Sequence, residues 1–104
     1  MILYKVEISC ATTSANGRSY IGTDYSAIFT TEQSAFSAYR RLVDEVSNEY
    51  TTDASYDDCS GFEVTLYKGE QAEHYDAENA TLFCDEFYWT QMECESIMNP
   101  MYCG

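Results

Sequence analysis

Residues 2–30 read ILYKVEISCATTSANGRSYIGTDYSAIFT, and this stretch decides the fold. Apolar and polar side chains alternate along residues 2–10, which is typical of a strand with one buried face, and a second strand-like stretch lies near 20–30. Between them, Asn16-Gly17 predicts a two-residue hairpin turn, because both central positions of such a turn need positive φ. That turn sets three apolar pairs on one face of the hairpin: Tyr4 with Phe29, Val6 with Ala27, and Ile8 with Tyr25.

An amphipathic helix over residues 31–50 is predicted next. Thr30 stands at the N-cap position, with Gln33 at the reciprocal position of a capping box. Apolar side chains at intervals of three and four form the stripe that packs on the sheet: Phe36, Tyr39, Val43, Val46 and Tyr50, widened by Ala35 and Leu42. On the outer side, two arginines precede two carboxylates by one turn and predict weak surface ion pairs: Arg40 and Arg41 with Asp44 and Glu45.

The second half of the chain predicts two more strands. A polar loop over residues 51–61 precedes a third strand, which begins at Phe62, alternates in polarity and ends at Gly69. Residues 80–89 predict a fourth strand with apolar side chains on both sides. Together these elements predict one α+β domain over residues 1–104, with a small antiparallel sheet of four strands packed on one amphipathic helix in the order ββαββ.

The C-terminal tail, residues 90–104, predicts one further element. It mixes apolar side chains with Glu93 and Glu95, and we expect a short helix that ends before Asn99-Pro100, because the residue before a proline disfavours helical backbone. Such a helix would cover one side of the fourth strand and explain its apolar side chains on both sides. The alternative is that the fourth strand is central in the sheet.

Charge is distributed unevenly along the chain, whose net charge is −13. Residues 1–41 carry four cations and three carboxylates, whereas residues 42–104 carry Lys68 as their one cation against fifteen carboxylates. A field of this sign repels nucleic acid and anionic membranes, and it attracts proteins that hold phosphate backbones with lysine and arginine. Ten tyrosines and five phenylalanines exclude the composition of a disordered chain, and tyrosine is enriched at protein–protein contacts.

The five cysteines bear on the compartment and on metal binding. Their odd number and wide spacing predict reduced thiols in a cytoplasmic protein, and no signal peptide or membrane span is predicted. Zinc ligands of the right type are present at Cys84, Cys94, Cys103 and His74, but their spacing does not match a zinc site. A calcium loop beginning at Asp53 would lack the glycine and glutamate that such a loop needs. We therefore predict no metal and no cofactor.

The sequence contains no motif for catalysis. His74 lies in a polar stretch without a serine or cysteine close by to activate, and there is no Gly-rich phosphate loop, GxSxG or HExxH motif. Paired carboxylates alone can hydrolyse glycosides, but that chemistry needs a cleft, for which this small core leaves little room. A non-enzymatic protein is predicted.

The carboxylates of the second half are the candidate contact surface. Same-face carboxylates two residues apart on a strand are separated by roughly 6.8 Å, which is comparable with roughly 6–7 Å between phosphates of a DNA strand. They can therefore present a phosphate-like track to a partner's arginine and lysine. The simpler explanation is that acidity only keeps the protein soluble. The candidate partner-binding residues are Asp53, Asp57, Asp58, Glu70, Glu73, Asp76, Glu78, Asp85, Glu86, Glu93, Glu95, Tyr88 and Trp89.

In size, charge, tyrosine content and hairpin-helix-hairpin order, the chain resembles the small acidic inhibitors that phages and mobile elements use against host defence, among them anti-CRISPR and anti-restriction proteins. The resemblance implies an inhibitor that occupies the basic nucleic-acid-binding surface of a CRISPR-Cas nuclease or a restriction-type complex in the host cytoplasm. The alternative is an interaction module or homodimer that contacts its partner through an aromatic patch, Tyr88 and Trp89. Neither hypothesis involves direct binding to nucleic acid or a membrane.

Overall fold

The computed structural model describes residues 1–13, 19–53, 56, 59–71, 87–100 and 102. In chain order they form β1 (Ile2–Thr13), β2 (Ser19–Phe29), α1 (Glu32–Asn48), a 3-10 helix (Tyr50–Thr52), β3 (Cys59–Gln71) and β4 (Phe87–Met98). The strands form one antiparallel sheet in the order β2-β1-β3-β4. The α+β class and the four-stranded antiparallel sheet with one helix are confirmed. The sheet order differs from the predicted ββαββ order, because β3 adds beside β1 and not beside β2.

The first hairpin has the predicted register for all three apolar pairs. Beyond Ile8 the register shifts by one residue, because Asp24 is extra in β2 and forms a β-bulge. Thr13 therefore pairs with Ser19, which is not the register that a two-residue turn at residues 16–17 would give. The predicted turn itself lies outside the described residues.

Helix α1 begins one residue later than predicted. The side-chain oxygen of Thr31 accepts the backbone N–H of Ser34 at 3.2 Å, so the N-cap is Thr31 and not Thr30. The prediction failed because two adjacent threonines offer equivalent caps and only the helix register selects between them. The side chains that α1 buries are Ala35, Ala38, Tyr39, Leu42 and Val46.

The core lies between α1 and the two central strands. The largest fully buried side chains of the sheet come from β1 and β3, and they are Val6, Ile8, Phe62, Val64 and Leu66. Burying each such side chain contributes roughly 1.5–3 kcal/mol, so this layer is the main source of stability. At the C-terminal end of α1, Tyr50 and Tyr56 stack on each other with centroids 5.1 Å apart, and both meet the edge of Phe62.

Strand β3 is longer at both ends than the predicted third strand. It begins at Cys59, which forms a disulfide with Cys10 on β1, so the prediction of reduced thiols is wrong for these two residues. Their separation of 49 positions hid a contact that the sheet pairing creates. Gly69 does not end the strand either. The ring of Trp89 lies against Gly69, where an added Cβ would be 2.5 Å from a ring carbon, so this glycine permits a close approach inside the strand.

Strand β4 occupies the segment for which a C-terminal helix was predicted. No such helix is present among the described residues, and of the predicted fourth strand only residues 87–89 are described, at the start of β4. The helix prediction failed because an edge strand that is polar on both sides shows no alternation. Asn99 directly follows β4, and its side-chain amide donates to the carbonyls of Tyr56 and Cys59, both at 2.8 Å.

Candidate partner-binding site

Strand β4 is an exposed edge of the sheet. Every residue from 90 to 96 is exposed, and among the described strands β4 pairs only with β3. Its neighbour β3 is paired on both sides and contributes four of the buried hydrophobic core side chains. An edge strand presents unpaired backbone groups together with its side chains, so β4, like β2 at the other edge of the described sheet, is accessible to a partner, and β4 is the edge that carries predicted contact residues.

Two of the predicted contact residues project from β4 toward the side of the sheet that α1 covers. Glu95 pairs with Val64 and Glu93 pairs with Leu66, and directly opposed residues of an antiparallel pair share a face. Val64 and Leu66 are fully buried under α1, whereas the two glutamates lie beyond the helix and are exposed. Neither glutamate forms an ion pair with a described cation.

A groove of about 300 Å³ runs between α1 and β4, and we call it the α1–β4 groove. It combines apolar and aromatic side chains of the helix with carboxylates from both elements. Its lining residues are Phe36, Tyr39, Arg40, Val43, Asp44, Glu93 and Glu95. The groove therefore offers an apolar floor and an acidic rim, which suits a side chain with an aliphatic stem and a positive head.

Tyr39 is the buried polar residue of this groove. Its side chain is 7% exposed, and its hydroxyl has no hydrogen bond with any described residue. Burial raises the pKa of Tyr39 above 10.0, and the negative charges of Glu95 and Glu93 raise it further, whereas Arg40 opposes the shift. At neutral pH the phenol is therefore protonated and can donate or accept one hydrogen bond within the groove.

Arg40 lies at the rim of the groove and not in an ion pair. Its guanidinium carbon is 5.0 Å from the centroid of the Phe36 ring, a cation–π contact. The predicted ion pairs within the helix, from the two arginines to Asp44 and Glu45, are absent from these described residues, so that prediction is wrong. The half-buried ring of Phe36 offers Arg40 a contact that competes with a weak surface ion pair.

The opposite flank of α1 has a different character. A groove of about 480 Å³ lies there, beside Phe29, and is lined by Gln33, Ser34, Ser37, Ala38 and Arg41. This lining carries one cation and no carboxylate. Of the two grooves beside α1, only the α1–β4 groove is therefore lined by carboxylates.

The other predicted acidic residues do not converge on this groove. Asp53 is exposed and follows the 3-10 helix, where its backbone N–H donates to the carbonyl of Tyr50 at 3.3 Å. Glu70 pairs with Lys68 at 3.6 Å and lies opposite Tyr88 on the neighbouring strand. Seven further candidates lie outside the described residues: Asp57, Asp58, Glu73, Asp76, Glu78, Asp85 and Glu86.

Tyr88 and Trp89 lie on opposite sides of the sheet. Tyr88 is 67% exposed on the side of α1, whereas Trp89 lies on the face opposite α1, which we call the open face. There the Trp89 ring packs on Gly69, and the ammonium of Lys5 is 4.3 Å from the centroid of Trp89 and 5.0 Å from that of Tyr67. The two residues therefore do not form one aromatic patch, and Trp89 covers the sheet itself.

Among the described residues there is no group of three or more histidine, cysteine, aspartate or glutamate side chains that could hold a metal ion. Cys94 is an exposed free thiol, and Cys84, Cys103 and His74 lie outside the described part of the chain. No helix among the described residues is long and apolar enough to cross a bilayer.

Sequence reasoning missed Tyr39 and Phe36 as groove residues, because both belong to the apolar stripe of the helix and were assigned to the core. The one signal in the sequence was that Arg40 directly follows Tyr39 of the apolar stripe, which indicates that this side of the helix borders solvent. Comparisons with known proteins add no assignment. A scan against family models finds no match, and searches of curated proteins and of solved structures find none at a significant level.

Proposed function

We propose that this protein is a non-enzymatic binding protein that occupies the basic surface of a nucleic-acid-handling complex and thereby excludes nucleic acid. The observation that supports this most directly is the position of Glu93 and Glu95. Both are exposed on an edge strand, both project to the same side, and neither pairs with a described cation. Carboxylates in this position keep their charge available for a partner.

The spacing and the net charge support the same proposal. Two same-face positions on a strand are roughly 6.8 Å apart, close to the phosphate spacing that a nucleic-acid-binding surface accepts. Residues 42–104 carry fifteen carboxylates against one cation, so the field around β4 is not cancelled by nearby positive charge in the sequence. A partner rich in arginine and lysine is steered toward this side by the same forces that steer it toward nucleic acid.

The specific target that we propose is a CRISPR-Cas nuclease or a restriction-type complex, and the action is inhibition by occupancy in the host cytoplasm. The cytoplasmic location is a prediction from composition. The Cys10–Cys59 disulfide removes two of the five thiols on which that prediction rested. A thiol titration of protein purified from a reducing cytoplasm therefore bears on this part of the proposal.

The test uses purified CRISPR-Cas nucleases and restriction complexes, each with labelled duplex DNA. We expect the protein to prevent DNA binding by at least one complex, and excess DNA to displace the protein in turn. Binding should weaken steeply as salt rises, because each contact is between charges. A complex that binds the protein and DNA together, with neither affinity changed, would overturn occupancy as the mode of action.

The alternative is a contact through the open face. No described element covers this face, on which the rings of Phe87 and Trp89 stack with centroids 5.9 Å apart. In this case Trp89→Ala should abolish partner binding or self-association, whereas charge reversal on β4 should leave it unchanged. Self-association is opposed by a net charge of −13 on each copy, and sedimentation at low and high salt distinguishes a dimer from a monomer.

A further inference from the structure

We infer that the α1–β4 groove receives one arginine side chain from the basic partner. The inference rests on the proposed function for the origin of that arginine, but the chemistry of the groove can be tested without the partner. Three properties of the groove bear on it: a pair of carboxylates, a buried tyrosine whose hydroxyl has no hydrogen bond with a described residue, and an apolar floor. Each property matches a different part of an arginine side chain.

The carboxylates match the charge and the shape of the guanidinium. Glu93 and Glu95 reach the groove from the same side of β4, and Asp44 reaches it from α1. A guanidinium presents its donors in a planar fork, so it can bond to more than one carboxylate at once, whereas an ammonium is a point charge. An arrangement with carboxylates on both walls therefore favours arginine over lysine.

The Tyr39 hydroxyl supplies the second and independent feature. Its side chain is 93% buried, it lines the groove, and its hydroxyl has no hydrogen bond with a described residue. A hydroxyl that lines the groove without a hydrogen bond to a described residue can pair with a group that enters the groove, and a guanidinium supplies several N–H donors for it. A guanidinium held by Glu93 and Glu95 would bring a spare donor to the Tyr39 oxygen.

The apolar floor matches the aliphatic stem and the flat face of arginine. Phe36, Tyr39 and Val43 form this floor, and the chain's own Arg40 already places a guanidinium 5.0 Å from the Phe36 centroid. Arg40 lines the groove but is exposed and forms no ion pair with a described carboxylate, so Glu93 and Glu95 are not neutralised by it. A volume of about 300 Å³ is at the low end of ligand pockets and suits a single side chain.

The experiment measures binding of three short peptides, which have the form acetyl-Gly-Gly-X-Gly-Gly-amide with arginine, lysine or citrulline at X. Citrulline has nearly the shape of arginine but no charge. Binding is followed by backbone amide shifts in NMR titrations at low salt. We expect the arginine peptide to shift the amide signals of α1 and β4 residues around the groove. It should bind at least about threefold more tightly than the lysine peptide, and the citrulline peptide should not bind.

Variants assign the contact to the groove. Glu93→Gln with Glu95→Gln should weaken the arginine peptide at least about tenfold, whereas the matched control, Glu49→Gln with Glu63→Gln, should change it less than about twofold, because those exposed carboxylates lie outside the groove. Tyr39→Phe, which removes only the hydroxyl, should weaken it about two- to fivefold and reduce the preference over lysine. Equal losses of peptide affinity in the groove variant and in the control variant would overturn the inference. Equal affinities of the arginine and lysine peptides for the wild-type protein would also overturn it.

The two proposals can fail separately. If the arginine peptide binds the groove as described but no complex loses DNA, the groove inference stands and the proposed target is wrong. If a complex does lose DNA and the peptide shifts no groove amide, the function stands and this groove is not its arginine site. If the peptide binds only through the general acidity of the surface, amide shifts should be small and spread over all exposed carboxylates. The control variant, Glu49→Gln with Glu63→Gln, should then weaken binding as much as the groove variant does.

Discussion

Strands β3 and β4 are hydrogen-bonded neighbours of nearly equal length, 13 and 12 residues, yet they have opposite environments. Leu66 and Val64 of β3 are fully buried, and their direct partners on β4 are the exposed Glu93 and Glu95. Helix α1 packs mainly on the two central strands, and Glu93 and Glu95 of β4 are exposed at its side. The same face of one sheet is therefore core under the helix and a charged surface beyond its edge.

Under the proposed function, this contrast separates the strand that stabilises the domain from the strand that contacts the partner. Strand β3 contributes buried area and the cross-link to β1, whereas β4 contributes charge and an accessible edge. Charges and a bulge on an edge strand also oppose pairing with another copy of the chain, and β4 has both, with the register shift beside Met92. The charges that repel a second acidic copy are the ones that would attract a basic partner.

The contrast between β3 and β4 predicts that truncating a core side chain of β3 has the largest effect on stability. Phe62 on β3 is 1% exposed and meets the rings of Tyr50 and Tyr56, so Phe62→Ala should reduce the free energy of unfolding by about 3–5 kcal/mol. Met98 on β4 is 86% exposed, and Met98→Ala should change it by less than about 0.5 kcal/mol. Chemical denaturation measures both variants. Comparable losses would mean that β4 is buried and the contrast is wrong.

The cross-link of β3 to β1 gives the next largest effect. Replacing Cys10 and Cys59 with alanine should lower stability by about 2–4 kcal/mol, because the disulfide restricts the unfolded chain. Cys94→Ala on β4 is the control and should cost less than about 1 kcal/mol, because this exposed thiol loses only one weak hydrogen bond, from the Thr65 hydroxyl at 3.5 Å. Without reductant, the denatured wild-type protein should titrate no more than three of its five thiols. Titration of all five would contradict the cross-link.

The contact between Gly69 and Trp89 joins the two strands on the open face. Gly69→Ala should displace the Trp89 ring, lower stability by about 1–3 kcal/mol and shift tryptophan fluorescence to longer wavelength as the ring becomes more exposed. In a Trp89→Leu background the same substitution should cost less, because the clashing ring is gone. A double-mutant cycle on stability measures this coupling, and a coupling near zero would refute the contact.

The smallest effect concerns Tyr39 and the acidic rim. Because the folded state raises the pKa of Tyr39, it holds the phenol proton more tightly than the unfolded chain does. This contribution to stability is complete below a pH of about 10 and is lost as the pH rises through the folded pKa. Glu93→Gln with Glu95→Gln should lower the pKa of Tyr39, as followed by NMR of its ring carbons.

Tyr67 is the internal control for that titration. Burial raises the pKa of Tyr67 as well, but the carboxylates that add to its shift are Glu7 and Glu63, not the groove pair. The double glutamine variant should therefore leave the titration of Tyr67 unchanged. Equal changes at both tyrosines would indicate a general loss of charge and not a local contact between β4 and α1.

The sequence predicted the elements whose side chains alternate or recur with a clear period. The pairs from Tyr4–Phe29 to Ile8–Tyr25 followed from the alternation of β1, and the amphipathic stripe predicted α1. The bulge at Asp24 was missed, because one extra residue in a strand leaves the composition unchanged. Local patterns thus predict where a strand or helix lies better than they predict its register over its full length.

The candidate site was predicted only in part, for a different physical reason. Glu93 and Glu95 were selected by charge, but they were assigned to a helix, because a solvated edge strand lacks the apolar period that marks a strand. Tyr39 lines the groove because of where α1 lies on the sheet relative to β4. No local sequence pattern encodes that position. The separation of Tyr88 from Trp89 follows directly from strand alternation, once the strand is known.

The most direct test of the central claim is a comparison of two charge-reversal variants that change the net charge equally. Glu93→Lys with Glu95→Lys alters the β4 side of the groove, whereas Glu49→Lys with Glu63→Lys alters exposed carboxylates elsewhere. Circular dichroism confirms folding, and calorimetry at two salt concentrations measures affinity for a complex that the protein prevents from binding DNA in the test of the proposed function. We predict that the β4 variant loses several kcal/mol of binding and much of its salt dependence, while the control loses less than about 1 kcal/mol. Equal losses, or a β4 variant that binds as tightly as wild type, would contradict the claim that β4 is the contact surface.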